Sequence, residues 1–280
     1  MKLQRKLTNK EWEKVEALGP GVHTFRGKKT LFYNGAKLWE GDEYNRLVPL
    51  IYNYEERQSW QIVIVLPGVE IIPEFTFSRW CTNVMTVIMA DTVKRIEWKA
   101  FSNCKKLLFV RLSKNLECVG GSAFRLCESL TSIFIPPSCR EIGSHAFQDC
   151  RKCTILHIPQ DTQLNYFIIG STALMKASPF ETTPNGWYEK AVNNDMNKWI
   201  KNINQGSEEF ALHRECASFC PSEDGIYEML KRQGLQSFLT TENEIGVTAS
   251  RYLQENPFSE IDERKVINRY VLDMIGEIIT

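Results

Sequence analysis

The sequence predicts an α+β protein in which a solenoid of about five 23-residue coils is followed by an α-helical domain. Three observations carry this. The string Ala-Phe-x-x-Cys recurs, setting Phe101, Phe124 and Phe147, and likewise Cys104, Cys127 and Cys150, 23 residues apart. Between these strings apolar residues alternate, which is the period of a strand with one buried face. After about residue 165 the apolar spacing becomes helical. A unit this short cannot bury its own apolar face, so copies must stack into one continuous core.

Each column of the repeat has one chemistry. Three residues into the coils stand Trp60, Val84, Leu107, Leu130 and Cys153. Val63, Val87, Val110, Ile133 and Leu156 follow at the sixth position, then Val65, Met89, Leu112, Ile135 and Ile158 at the eighth. Ile72, Ile96, Val119 and Ile142 precede the Phe77, Phe101, Phe124 and Phe147 ladder. Pro67, Pro136, Pro137 and Pro159 end the strands, because proline cannot donate to a strand ladder. In the turn the Ala is small where the coil bends tightly, the Phe fills the interior, and the Cys acts as a small buried apolar residue.

The run Leu130 to Cys150, "LTSIFIPPSCREIGSHAFQDC", is similar to the BspA-type leucine-rich repeat, and the resemblance extends over about residues 57–165. Such repeats occur in bacterial surface proteins and in single-celled eukaryotes. The resemblance implies a binding scaffold rather than a catalyst. Gly120 and Gly121 are expected to distort one copy, and Cys139 stands where the pattern has Val.

Residues 1–56 are expected to cap the open end of the solenoid, residues 57–165 to form the repeats, and residues 166–280 to form the helical domain. Thr8 and Glu11 suit a capping box for a short helix carrying Trp12, Val15 and Leu18. Asn34-Gly35 within "LFYNGAKLW" (31–39) predicts a tight hairpin. Trp187, Val192, Met196, Trp199 and Ile203 have an irregular helical spacing. "FALHRECASF" (210–219) and "NEIGVTASRYLQENP" (243–257) resemble ankyrin helices, so the C-terminal domain is expected to be ankyrin-like. Ser259 is a candidate N-cap for a last helix whose stripe of Val266, Ile267, Tyr270, Val271, Met274 and Ile275 predicts a packing face. The order of these elements resembles a recurring form of repeat protein in algal-type protists.

Composition narrows the function. Lys+Arg and Asp+Glu number 34 each, so no net basic field exists to hold nucleic acid or an anionic membrane. The N-terminus lacks the apolar core of a secretory signal, and no apolar run is long enough to span a bilayer. An intracellular protein, cytoplasmic or nuclear, is expected; "KLQRK" is too short to decide between the two. The nine cysteines are then expected to stay reduced.

Candidate chemistry is sparse. Cys150 and Cys153 have C-x-x-C spacing but fall on repeat columns, which makes them core residues first. His213, Cys216 and Cys220 lie on one helix face and form the alternative reading, a metal- or redox-dependent module. "RGKKT" (26–30) lacks the leading glycine of a phosphate loop. No catalytic residues, cofactor or small-molecule substrate are predicted.

The positions that alternate with the core residues point outward along the strand face. They are Ile62 and Ile64, Thr86 and Ile88, Phe109 and Arg111, Ser132 and Phe134, and Ile155 and His157. A solvated face should be mostly charged or hydroxylic, and this one is not. The sequence therefore predicts a non-catalytic scaffold that binds a protein partner on this face, the alternative being that the N-terminal cap or the C-terminal helices cover it.

Overall fold

The computed structural model describes residues 7–41, 47–49, 52–78, 81–181, 192–203, 210–218, 220–243 and 245–279; residues 2–6 and Trp187, singled out above, lie outside these. Helix α1 (Asn9–Leu18) opens with the predicted capping box. Thr8 Oγ1 accepts from the Glu11 amide at 3.3 Å, and Glu11 Oε2 accepts from the Thr8 amide at 2.9 Å. Val15 is buried, whereas Leu18 is exposed.

The hairpin lies upstream of the predicted one. Strands β1 (Gly21–Phe25) and β2 (Lys28–Tyr33) pair antiparallel around Arg26 and Gly27.

 
Both turn residues therefore sit at positive φ, 50° at Arg26 and 68° at Gly27, the geometry that matches the twist of a two-residue hairpin. Asn34-Gly35 is no hairpin turn. It follows β2, where Asn34 Oδ1 accepts from the Ala36 amide at 3.1 Å and Gly35 takes φ 87°. The chain then runs into a separate antiparallel pair, β3 (Trp39–Gly41) with β4 (Leu47–Pro49), and a short helix α2 (Tyr54–Ser59) capped by Asn53 and Glu56.

The solenoid has two strand faces. One carries β5 (Ile62–Val65), β7 (Thr86–Met89), β9 (Phe109–Arg111), β11 (Ser132–Phe134) and β13 (Ile155–His157). The other carries the two-residue strands β6 (Ile71–Ile72), β8 (Arg95–Ile96), β10 (Cys118–Val119), β12 (Glu141–Ile142) and β14 (Gln163–Leu164). All neighbours are parallel, and like pairs with like: Val63 with Val87 with Val110, and Ile133 with Leu156. The hairpin extends the first face, since β2 pairs parallel with β5, while strand pairing is interrupted between β9 and β11.

Between the faces the Phe ladder stacks at centroid spacings of 4.9, 5.2 and 5.8 Å. Each fully buried ring contributes roughly 1.5–3 kcal/mol by removal from water. The cysteines form a second ladder. Sγ of Cys104, Cys127 and Cys150 donates to the carbonyls of Phe77, Phe101 and Phe124 on the preceding coil. Burial pushes these three thiols well above their ordinary pKa, and Cys81 and Cys153 to about 12, so none is an available nucleophile.

The turns hold non-glycine residues at positive φ in a repeating column: Phe75, Lys99, Ser122, His145 and Phe167. Such backbone costs on the order of 1–3 kcal/mol per residue. It is offset because the amides of Lys99, Ser122 and His145 each reach a carbonyl on the next coil, at 2.8–3.0 Å. Gly120 and Gly143 are stacking positions rather than distortions. A Cβ on Gly120 would lie 2.7 Å from the Glu97 carbonyl carbon, and one on Gly143 would lie 2.4 Å from the Gly121 nitrogen.

Past the last coil a short 3-10 turn (Ala173–Ala177) and helix α3 (Asn193–Asn202) close the core with Met196, Ile200 and Ile203. Asn193 Oδ1 accepts from the Phe167 amide, and Asn197 Nδ2 donates to the Leu164 carbonyl, which satisfies the open end. Helices α4 (Ala211–Ala217), α5 (Glu223–Thr240, broken at Gly234), α6 (Ala249–Glu255) and α7 (Glu263–Ile279) then build a second apolar core. The last helix starts at Glu263, not after Ser259. Asp262 Oδ1 accepts from the Arg264 amide, while Ser259 Oγ accepts from that of Ile261.

Candidate functional site

The outer strand face is covered by the chain's own flanking segments. Ile62, Ile64 and Ile88 share an apolar cluster with Leu7, Val15, Phe25 and Phe32, beneath α1 and the hairpin. Glu11 fixes that cover: it forms an ion pair with Arg26 at 2.9 Å on the hairpin turn. The Arg26 hydrogen bond is the largest influence on the Glu11 carboxyl and holds its pKa below the usual value. Phe134 and Ile155, 3% and 0% exposed, belong to the core of the C-terminal helices. Thr86, Phe109 and Ser132 are buried as well. The reason is physical: an apolar face on a solenoid edge is stabilised by whatever apolar helix the same chain can bring to it.

The two polar members are also engaged. Arg111 holds Asp91 through both carboxylate oxygens, at 2.7 and 3.1 Å, and donates to the Met89 carbonyl at 2.6 Å. Burial works to raise the Asp91 pKa, but the hydrogen bonds from Arg111 and the Lys114 amide prevail and lower it. His157 lies partly buried beside Phe134, at a ring separation of 6.1 Å, and burial depresses its pKa to about 4.

Over β11 and β13 the cover is helix α6. Arg251 Nη2 donates to Thr154 Oγ1 at 2.8 Å, and Thr131 Oγ1 donates to Glu255 Oε2 at 3.3 Å. Arg251 and Glu255 also pair with each other at 3.2 Å, one helical turn apart.

The residues of the metal or redox alternative do not assemble. His213 is fully buried with Nε2 2.8 Å from the Thr241 carbonyl; Cys216 is buried in the helical core, and Cys220 is exposed. Among the described residues no three His, Cys, Asp or Glu side chains are placed to hold a metal ion. Cys150 and Cys153 donate separately to the carbonyls of Phe124 and Ile155.

Two surface features remain. A groove of about 700 Å³ crosses four coils, with Glu70, Lys94, Glu117 and Arg140 alternating in sign along it. Column reading of the sequence could have found it, since these residues recur at 23 or 24 positions. On α7 the predicted packing stripe holds only in its first half: Val266 is buried and Ile267 and Tyr270 pack partly, whereas Val271, Met274 and Ile275 are exposed with Leu272.

A stack of in-register parallel coils closed by a cap at each end is a repeat solenoid. Residues 61–181 match the BspA type leucine rich repeat region in six copies, so this part of the chain is a BspA-type leucine-rich-repeat region. Leucine-rich-repeat proteins in general serve as protein-interaction scaffolds. No curated protein matches the chain. Among solved structures it is similar to a leucine-rich repeat protein from Bacteroides ovatus, with 22% identity and a TM-score of 0.40 over 55% of this chain and 37% of that one. It is also similar to a T. pallidum leucine rich repeat protein, with 18% identity and a TM-score of 0.37 over 59% and 65% of the two chains. A leucine rich cell surface protein from Faecalibacterium prausnitzii matches with 23% identity and a TM-score of 0.38, over 50% and 34%. The chain thus spans less than two thirds of the length of each of these proteins. No described helix is long and apolar enough to cross a membrane.

Proposed function

We propose that the protein is a non-catalytic interaction scaffold whose partner is a protein, engaged through the C-terminal half of the outer strand face. The residues are Ser132, Phe134, Ile155 and His157. One observation carries this reading: the apolar side chains of this face, Phe134 and Ile155, already pack with helices, in the core of α4–α7. Ile62, Ile64 and Ile88 instead pack with Val15 of α1 and with Phe25 and Phe32 of the hairpin, which binds that half of the face to the N-terminal cap. Thr86, Phe109 and Arg111 connect the two halves. The face is neutral and apolar rather than basic, which suits a protein and not a polyanion.

The test is photo-crosslinking in native cells, with a photoreactive residue at His157 in one full-length variant and at Glu117, in the loop groove, in another. The expected result is one protein captured from His157 and not from Glu117. Capture only from Glu117 moves the site to the groove. Capture from neither position overturns the scaffold reading.

A further inference from the structure

We infer that the outer face of β11 and β13 is a helix-docking surface held closed by the chain's own α4–α7 module, which leaves it as a unit to admit a partner helix. This rests on the scaffold reading and names the partner class for the same face. The first observation is that each body has a core of its own, the two being joined only where Phe134 and Ile155 enter the helical core and Ile245 packs against the solenoid core, among the described residues. The solenoid end is sealed by α3, through Met196, Ile200 and Ile203. The helical module has its own core around Leu212, Cys216, Leu230 and Tyr252. Its internal polar bonds are equally self-contained: Asn243 Nδ2 donates to Tyr252 Oη, and Asn256 Nδ2 to the Cys216 carbonyl.

The second observation is the nature of the seam. Among the described residues it holds Phe134 and Ile155 set into the helical core, Ile245 packed against the solenoid core, and two side-chain hydrogen bonds, Arg251 to Thr154 and Thr131 to Glu255. No strand pairing joins α4–α7 to the solenoid among the described residues. Side-chain bonds at a rim are exchangeable with water, and their net strength is small. The apolar pair is what a competitor must replace.

The cis occupant therefore states the chemistry of the trans partner. It is a helix carrying Arg and Glu four residues apart beside an apolar side, so that it meets Thr154, Thr131, Phe134 and Ile155 together.

The experiment uses full-length protein with Ser132→Cys, a buried, near-isosteric thiol probe on the outer face. Labelling by a maleimide is followed site by site by mass spectrometry, with and without Arg251→Ala/Glu255→Ala. Loss of both rim bonds is expected to raise labelling at position 132 about tenfold, or about 1.4 kcal/mol. Labelling of Cys216, enclosed within the module, should stay unchanged. A synthetic peptide of residues 245–257, added to the opened variant, is expected to slow labelling at position 132 again. Unchanged labelling at 132 overturns the inference, as does Cys216 rising in step, which means unfolding rather than release. A rise that the peptide does not reverse overturns the helix as partner class. None of these outcomes depends on a cellular partner, so they are separable from the crosslinking result.

Discussion

Replacing His157 by phenylalanine removes a titrating group from the outer face while leaving a ring beside Phe134. In the folded protein burial depresses the His157 pKa to about 4, against an ordinary value of 6.5. Between those values the unfolded chain binds a proton that the folded chain does not, so stability rises with pH through that window and is lost on acidification. From pH 7 to pH 4.5 a shift of that size corresponds to about 2.5 kcal/mol. The ring is only partly buried by area, which discounts the effect to roughly 1.5–2 kcal/mol. The assay is urea denaturation followed by circular dichroism at both pH values, with equal m-values required of both proteins. Wild type should lose about 1.5–2 kcal/mol more than His157→Phe on acidification. His145, whose pKa is lowered by burial and by Arg125, contributes to both proteins and cancels. Parallel losses, within about 0.5 kcal/mol, would falsify the claim that His157 is buried neutral.

Three further outcomes follow from the same geometry. Phe124→Ala, which empties the centre of a ladder stacked at 5.2 and 5.8 Å, should cost about 4 kcal/mol in urea denaturation; a loss below about 1 kcal/mol would mean the ladder is not a packed core. Gly143→Ala sets a Cβ 2.4 Å from the Gly121 nitrogen and should destabilise by about 3 kcal/mol. Gly121→Ala, with 3.3 Å to the Ser144 carbonyl oxygen, should cost less than half as much, and a reversed order refutes the stacking argument. In the native protein a thiol reagent should label exposed Cys220 at once and Cys104, Cys127 and Cys150 only on unfolding, with mass spectrometry as the readout.

The period did most of the work in the sequence. Phe101, Phe124 and Phe147 had to stack because a 23-residue coil has one interior and each coil supplies one ring to it. The Val63, Val87 and Val110 column had to face inward because alternation leaves a strand only two sides. The Thr8–Glu11 cap was legible for the same kind of reason, since a capping box is satisfied within four residues. The hairpin was misplaced because both Arg26-Gly27 and Asn34-Gly35 can turn the chain, and only pairing of β2 with β5 selects between them.

What covers the outer face was decided by tertiary structure alone. Alternation says that Ile88 and Phe134 point away from the solenoid core; it carries no information about what meets them there. Their covers, α1 and the α4–α7 module, come from segments outside the repeat, one before the first coil and the other after the last. Local spacing fixes which side a residue takes, because that follows from backbone geometry. Whether that side is wet depends on long-range apolar contact, and only the folded chain settles it.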